Sequence, residues 1–326
     1  MKALVVERLA ADYAGCVLKD IDTPKPGAGE VLVKVRAAAV NFPDLLQTRG
    51  EYQHKPALPF IPGLEAAGDV VEAGEGAPFG PGDAVVGTGG FAEYVILRNP
   101  RLKPANLSFS QAAAFGTAYI TAYVSLVRRA EVKPGEWLLV HGASGGVGLA
   151  AVDLGRALGC RVIAAGASDE KLAAVGRTYS VDATVNVTRG FKDAVKSLTS
   201  GRGADVIYDP VGGDVFDESV RCIAFGGRLL SVGFASGRIP TLPVNMALIK
   251  GFSLMGVRAG EFGRQFPALG AENQAAIWTM AEAGTLTPHV HAELPLEAWR
   301  EAFDLLAHRQ VVGKAVLLPG GGGLSG

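Results

Sequence analysis

The sequence predicts an α/β protein in which a doubly wound parallel sheet is inserted into a β-rich domain. Three observations predict it. Residues 1–125 carry short, turn-bounded β segments. Residues 126–261 alternate apolar strands with helices. Residues 262–326 return to mixed helix and strand. The length agrees, since 326 residues at roughly 150 per domain make two domains.

In the first part, residues 31–36 alternate apolar and basic side chains and read as a strand. Pro24, Pro26, Gly27 and Gly29 form the turn cluster before it. Residues 69–74 and 82–87 read as short strands, each ending at glycine. Strands spaced this closely suggest a barrel-like β domain. In the middle part, the apolar run 137–141 reads as a buried strand, and 147–158 has helical periodicity. A second strand at 161–165 and a second helix at 169–175 follow, with further strands at 205–208 and 228–232. Strands alternating with helices imply right-handed βαβ units and a parallel sheet. In the last part, 274–283 and 296–307 read as helices and 314–318 as a strand. The glycine-rich stretch 320–326 is expected to be disordered. There is no internal repeat.

With 48% hydrophobic and 19% charged residues, the chain can bury a large core, and disorder is disfavoured. A net charge of -1 leaves no basic footprint for nucleic acid. No like-charge run marks an interaction tail. Apolar runs stop well short of a membrane span, and residues 1–8 lack the apolar core of a signal peptide. Cys16, Cys160 and Cys222 lie far apart without a CxxC pair, which argues against a disulfide framework or a cysteine zinc site. The expected compartment is the reducing cytoplasm.

One motif carries chemistry directly. His141, Gly142, Ala143, Ser144, Gly145, Gly146, Val147 and Gly148 follow the strand at 137–141 and open a helix. The fingerprint is Ala143-x-Gly145-x-x-Gly148. Gly145 lets the backbone approach a pyrophosphate, and Gly148 permits close helix–strand packing. The helix start offers free N–H groups and a positive dipole end to the anion. The strand–turn–helix setting makes the match specific. In an NAD site the next strand ends in a carboxylate that holds the ribose 2′-hydroxyl. Here Gly166 ends that strand, so nothing at that position repels a 2′-phosphate. Ser168 and Lys171 follow and can bind it. The ordinary alternative is that Ser168 caps the next helix and Lys171 is merely solvated, while Asp169 and Glu170 disfavour a phosphate. The expected cofactor is NADPH rather than NADH.

The residues Asn41 to Leu46, Pro62 to Gly68, Gly142 to Gly148 and Tyr208 to Gly213, in this order, resemble the quinone oxidoreductase (zeta-crystallin-like) branch of the medium-chain dehydrogenases. The likeness runs over residues 1–318. It implies a Rossmann domain inserted into a GroES-like catalytic domain. Zinc-dependent members of the wider superfamily place a ligand cysteine where Asn41 stands and Gly-His-Glu where Gly63, Leu64 and Glu65 stand. Leu64 cannot bind a metal, and a carboxamide does not replace a thiolate in a tight zinc site. His289 and His291 are the one close histidine pair, and such a pair suits a polar strand face. The expected protein holds no metal. Without a Lewis acid, the resemblance points to an acceptor that is already activated, a quinone or another conjugated carbonyl.

The resemblance also assigns candidate residues. Asn41 is the first candidate to hydrogen-bond the developing oxyanion or to contact the nicotinamide ribose; its ordinary role is a turn before Pro43. Tyr52 matches a substrate-pocket tyrosine, or is an amphipathic surface residue. Thr121 matches a cofactor-contacting threonine, or is a plain helix residue. Gly233 and Phe234 follow a Rossmann strand where relatives line the nicotinamide pocket; core filling is the alternative for Phe234. Many relatives have a tyrosine where this chain has Val187, so its 2′-phosphate pocket would depend on Lys171 and Arg177. The apolar, β-prone segment from Phe252 to Arg258 would lie at a sheet edge, and relatives pair it across a twofold axis, so a homodimer is expected. Two other functions remain open: reduction of the C=C bond of enones, enals or enoyl thioesters, and a non-catalytic NADPH-binding structural or regulatory role.

Overall fold

The computed structural model describes residues 1–53 and 55–320, so most of the glycine-rich stretch lies outside the described residues. Strands β1 (Lys2–Val6) and β2 (Cys16–Asp20) form an antiparallel pair. Then come β3 (Val31–Ala39), helix α1 (Phe42–Arg49), β4 (Ala66–Ala73), β5 (Ala84–Thr88), β6 (Tyr94–Ile96), β7 (Arg98–Leu102) and the helices α2 (Phe109–Ala113) and α3 (Gly116–Tyr123). The long strand β3 buries seven of its nine positions, because β4 and β6 both pair with it.

A parallel sheet follows. Its elements are β8 (Trp137–Val140), α4 (Gly146–Ala157), β9 (Arg161–Gly166), α5 (Asp169–Tyr179), β10 (Ala183–Asn186), α6 (Lys192–Leu198), β11 (Ala204–Asp209), α7 (Gly213–Cys222), β12 (Ile223–Ser231), α8 (Val244–Lys250) and β13 (Ser253–Gly256). All six strands are parallel, in the order β10-β9-β8-β11-β12-β13. In chain order that is 3-2-1-4-5-6, the doubly wound arrangement. The inner strands are apolar without alternation, as a sheet covered on both faces requires: every residue of β8 is buried. Leu139, Ile163, Ile207 and Leu229 pack with Phe191 and Phe216. The amphipathic helix α7 buries Phe216 and Val220 and leaves its acidic face outward. Strand β8 runs into the glycine turn that begins at His141, and β9 ends on Gly166.

After helices α9 (Ala259–Gln265) and α10 (Pro267–Glu282), the chain supplies β14 (Val290–Pro295), α11 (Trp299–Ala307) and β15 (Lys314–Leu318). These last strands complete the first sheet, whose order is β14-β15-β3-β4-β5-β7 with β6 on β3. Its core holds Leu4, Val33, Leu45, Phe91 and Leu317, with Phe303 edge-on to Tyr13, Phe91 and Trp299 at centroid distances of 5.4, 6.0 and 5.5 Å.

The chain divides into two compact units, Met1–Thr117 with Pro288–Gly326, and Ala118–Thr287. The expected insertion is present, but its boundaries differ from 125/126 and 261/262. The second differs most, because α10 belongs with the parallel sheet. Arg128 donates to Asn273 Oδ1 at 2.7 Å and to Glu272 at 2.9 Å. Thr287 N–H donates to Asp153 at 2.9 Å, and the Tyr179 hydroxyl donates to the Thr287 carbonyl at 2.8 Å. Such bonds join residues over 100 positions apart and leave no local mark in the sequence. The edge strand is also shorter than expected: β13 covers four residues, and Phe252 before it is buried. Among the described residues, no helix is long and apolar enough to cross a membrane.

Candidate functional site

In the parallel-sheet unit, the strand order reverses between β8 and β11, which lie side by side. Ligands of such sheets bind outside the carboxyl ends of the strands at this switch point. The turn from 141 to 145 leaves β8 there, and α4 begins at Gly146 with Gly145 as its N-cap. The structure separates the roles of the turn residues. The Ala143 N–H donates to Ala165 O at 3.1 Å and the Gly145 N–H donates to Gly142 O at 2.8 Å, so both are committed to shaping the turn. Gly146 and Val147 open the helix, where N–H groups have no intrahelical acceptor. These two residues and Ser144 remain partly accessible.

The two fingerprint glycines are required for different reasons. A Cβ at Gly148 would stand 2.2 Å from the Gly142 carbonyl oxygen, so the turn itself excludes a side chain. A Cβ at Gly145 would meet only that same oxygen at 3.4 Å, and its φ of -80° is ordinary. Nothing in the protein requires glycine at 145, and its bare backbone leaves room for a ligand to approach closely. The turn therefore fits a pyrophosphate.

His141 supports the turn from within the core. Its Nε2 lies 2.8 Å from Ser219 Oγ, and that hydroxyl donates to Val215 O. The imidazole must then be the donor, so Nε2 carries the hydrogen. Burial pushes its pKa down to about 3, and the ring stays neutral. Beside it, Asp209 ends β11 and accepts from the Val211 and Gly212 N–H groups at 2.8 and 2.9 Å. Burial raises its pKa. The turn it closes is stitched to the segment after β12: Ala235 N–H donates to Pro210 O at 3.1 Å and Ser236 N–H to Val211 O at 2.9 Å. Gly233 and Phe234 sit in this segment. Phe234 is 44% exposed, so it does not fill the core. Thr121 lies in α3 one turn before a π-helical stretch, Val124–Arg129, and its carbonyl accepts from Ser125 Oγ at 2.6 Å. π-turns of this kind recur at functional sites.

Gly166 closes β9 opposite Asn186. Ser168 caps α5, accepting from the Lys171 N–H at 3.3 Å. The Lys171 side chain is half-buried, and burial lowers its pKa. Asn186 donates to Asp169 at 2.8 Å, which holds that carboxylate at the strand ends. Val187 opens a short 3-10 turn, and Arg177 is exposed.

In the β-rich unit, three distant segments meet in a buried polar cluster. Asn41 precedes α1, Glu65 precedes β4 and Lys314 opens β15; all three are buried. Asn41 Nδ2 donates to Glu65 Oε1 at 2.9 Å and to Ala39 O at 3.2 Å. Lys314 Nζ donates to Asn41 Oδ1 and, at 3.2 Å, to Glu65 Oε1. The Thr117 N–H donates to Glu65 Oε2 at 2.6 Å. Asp44, fully buried, accepts from the Asn41 backbone N–H at 2.7 Å. Its other oxygen has no partner among the described residues, and burial pushes its pKa up to about 7. Tyr52 lies in a bend of the same unit, half-buried.

This donor set does not suit zinc. Leu64 offers no ligand atom, and the oxygens of Asn41 and Glu65 already face an ammonium. Among the described residues, no group of three or more His, Cys, Asp or Glu side chains is arranged to hold a metal ion. Sequence reasoning named Asn41 as a candidate, took Asp44 and Glu65 only as parts of motifs, and missed Lys314. Lys314 stands 273 residues from Asn41, so no local pattern connects them.

Comparison with known proteins gives a consistent result. The family model described as "Alcohol dehydrogenase GroES-like domain" matches residues 27–106, and the one described as "Zinc-binding dehydrogenase" matches residues 146–273. The chain is 40% identical over 305 residues to the "Quinone oxidoreductase-like protein 2 homolog" of Nematostella vectensis, covering 90% of this chain and 83% of that protein. It is 33% identical to the human "Quinone oxidoreductase", with 92% of each covered. A solved probable oxidoreductase from Mycobacterium abscessus superposes with a TM-score of 0.87 at 37% identity, covering 98% of this chain and 99% of that one. A mycobacterial protein solved in complex with NADPH superposes with a TM-score of 0.87 at 30% identity, covering 98% and 100%.

Proposed function

This chain belongs to the quinone oxidoreductase-like family of medium-chain dehydrogenases, and we propose that it is an NADPH-dependent reductase of quinones or other conjugated carbonyls that works without zinc. The observation that carries the reading is the glycine turn at the switch point of the parallel sheet, with Gly146 and Val147 in the first turn of α4, where N–H groups have no intrahelical acceptor, and no carboxylate ending β9. NADPH supplies the hydride. The chain's own residues bind, orient and exclude water. Gly145, Gly146 and Val147 receive the pyrophosphate. Gly166, Ser168 and Lys171 receive the 2′-phosphate, with Lys171 as the cation. Thr121, Gly233 and Phe234 flank the nicotinamide. Asn41 and Tyr52 contact the nicotinamide ribose or the acceptor. A conjugated acceptor spreads the negative charge that hydride transfer creates, which lowers the demand for a metal. The NADPH-bound relative supports the same cofactor here.

The test is a panel. A quinone, an enone and a saturated aldehyde are offered with NADPH and with NADH, before and after treatment with a chelator. Quinone or enone turnover with NADPH that survives chelation is expected. Equal or faster turnover of the saturated aldehyde would sink the reading. A well-formed contact to a charged group contributes about 1.5–3 kcal/mol. Lys171→Ala should then weaken NADPH binding roughly tenfold or more and leave NADH binding nearly unchanged.

The protein is further proposed to act as a homodimer. Helix α8 exposes Val244 and Leu248 at 83% and 82%, and the edge strand β13 that follows it exposes Leu254 at 45%. Apolar side chains beside an unpaired strand favour pairing with a second copy. Sedimentation should give a dimer at micromolar concentration, and the double variant Leu248→Asp/Leu254→Lys a folded monomer. A native protein that sediments as a monomer would rule the dimer out.

A further inference from the structure

Helices α3, α4 and α5 of the parallel-sheet unit are tied together through one carboxylate. Asp153 lies on α4, the helix whose start forms the candidate pyrophosphate site, and is buried there. Its Oδ2 accepts from the Tyr119 hydroxyl on α3 at 2.7 Å and from the Thr287 N–H at 2.9 Å. The Thr287 carbonyl in turn accepts from the Tyr179 hydroxyl on α5 at 2.8 Å. Tyr119 and Tyr179 are buried, so water competes little for these bonds. Burial, the Asp153 carboxylate and the Tyr179 hydroxyl push the Tyr119 pKa well above its usual value. The Tyr119 hydroxyl therefore keeps its proton and donates. The chain enters this unit at Ala118 and leaves it at Thr287, so one oxygen holds both the first turn after the entry and the last residue before the exit.

Helix α3 depends on this bond to keep its place. Its buried residues are Ala118, Tyr119 and Ala122. The alanines bury little apolar area and so hold the helix weakly, while Tyr119 brings the long side chain. After Tyr123 the helix passes into the π-helical stretch. At 3.6 residues per turn, Thr121 leaves α3 on the side roughly opposite Tyr119, and it is partly accessible. One face of α3 is anchored, and the other presents Thr121. We propose that Asp153 and Tyr119 are positioning residues, whose hydrogen bond fixes α3 against α4 so that Thr121 stays beside the nicotinamide while the start of α4 holds the pyrophosphate. The proposal rests on the reading that the protein binds NADPH. Hydride transfer needs the nicotinamide held in a reactive geometry, and a displacement of about 1 Å can cost about a hundredfold in rate. A fixed link between the two helices sets that geometry before the ligand arrives.

Tyr119→Phe tests this. It removes the hydroxyl and little else, and leaves Asp153 on the Thr287 N–H. The probes are NADPH, whose fluorescence reports its nicotinamide, and adenosine 2′,5′-bisphosphate, which has none. The variant should bind the bisphosphate as the native protein does and bind NADPH about threefold more weakly. Emission from bound NADPH should fall toward that of the free cofactor, and hydride transfer to a quinone in a single turnover should slow by about tenfold. Asp153→Asn keeps an oxygen that can accept from both donors and should retain most of the native behaviour; a loss as large as in Tyr119→Phe would count against the hydrogen bond as the link. Either native emission or native transfer in Tyr119→Phe would overturn the proposal. So would equal weakening of both probes, which a merely structural role produces. If Tyr119→Phe does not fold, hydrogen exchange on the native protein decides. The amides of residues 120–123 should exchange slowly without any ligand and gain little from NADPH. Fast exchange there that only NADPH suppresses would show that the cofactor, and not Asp153, orders α3. A native protein that binds neither probe would refute the cofactor reading instead. One that binds both but reduces no quinone would refute the acceptor, with the emission still deciding the link.

Discussion

Gly148→Ala will abolish tight cofactor binding. The new methyl group would lie 2.2 Å from the Gly142 carbonyl oxygen and 3.1 Å from the Ala143 Cα. These are main-chain atoms, which cannot rotate away as a side chain can. Either the turn or the first turn of α4 must shift, and the N–H groups of Gly146 and Val147 shift with it. Losing one or two bonds from N–H groups to a charged phosphate, at about 1.5–3 kcal/mol each, weakens NADPH by about a hundredfold or more. Gly145→Ala is the matched comparison. Its methyl group would meet protein only at 3.4 Å, so thermal stability should be native while affinity still falls, because the obstruction faces the ligand. Calorimetric titration alongside thermal unfolding reads both. Native affinity in Gly148→Ala would show that the turn does not hold the cofactor.

The second large effect concerns stability and pH. Asp44 is fully buried and lacks a partner for one oxygen among the described residues, and burial lifts its pKa from an ordinary 3.8 to about 7. Lys314 and Glu65, the charged groups that face it, pull in opposite directions. Between those two values the folded protein holds a proton that the unfolded chain has released. Folding stability must therefore fall as pH rises through this range. At about 1.4 kcal/mol per pH unit the ceiling is about 4 kcal/mol. Asp44→Asn keeps an acceptor for the Asn41 N–H and removes the titration. Relative to the native protein, the variant should gain stability progressively from pH 4 to 7 and hold the gain above that. Urea unfolding across this range measures it, and a difference that does not change with pH would contradict the argument.

Much of the fold was legible in the sequence, and the reason is locality. Runs such as the all-buried β8 and the glycine turn after it state their structure within ten residues. That the sheet is parallel follows from the alternation of strands and helices. The candidate site was legible only in its local half. Ala143, Gly145 and Gly148 declare themselves by spacing, and Ser168 caps its helix as one of its two readings had it. The cluster of Asn41, Asp44, Glu65 and Lys314 does not, because its members come from three segments joined only by sheet pairing. A lysine opening a strand looks solvated in sequence. Only the pairing of β14 with β15 and of β15 with β3 carries it inward. The boundary near 261 was misplaced for the same reason, since the bonds of Arg128 and Thr287 that decide it span the inserted unit.

The discontinuous β-rich unit imposes an order on synthesis. Residues Ala118–Thr287 can fold as soon as they have been made, since every strand of the parallel sheet lies within them. Glu65 must wait for a lysine 249 residues downstream. At about 5–20 residues per second, that is roughly 12–50 s during which its carboxylate has no cation and must stay hydrated. The first sheet therefore closes last, and the arrival of Lys314 allows that end of it to dry out.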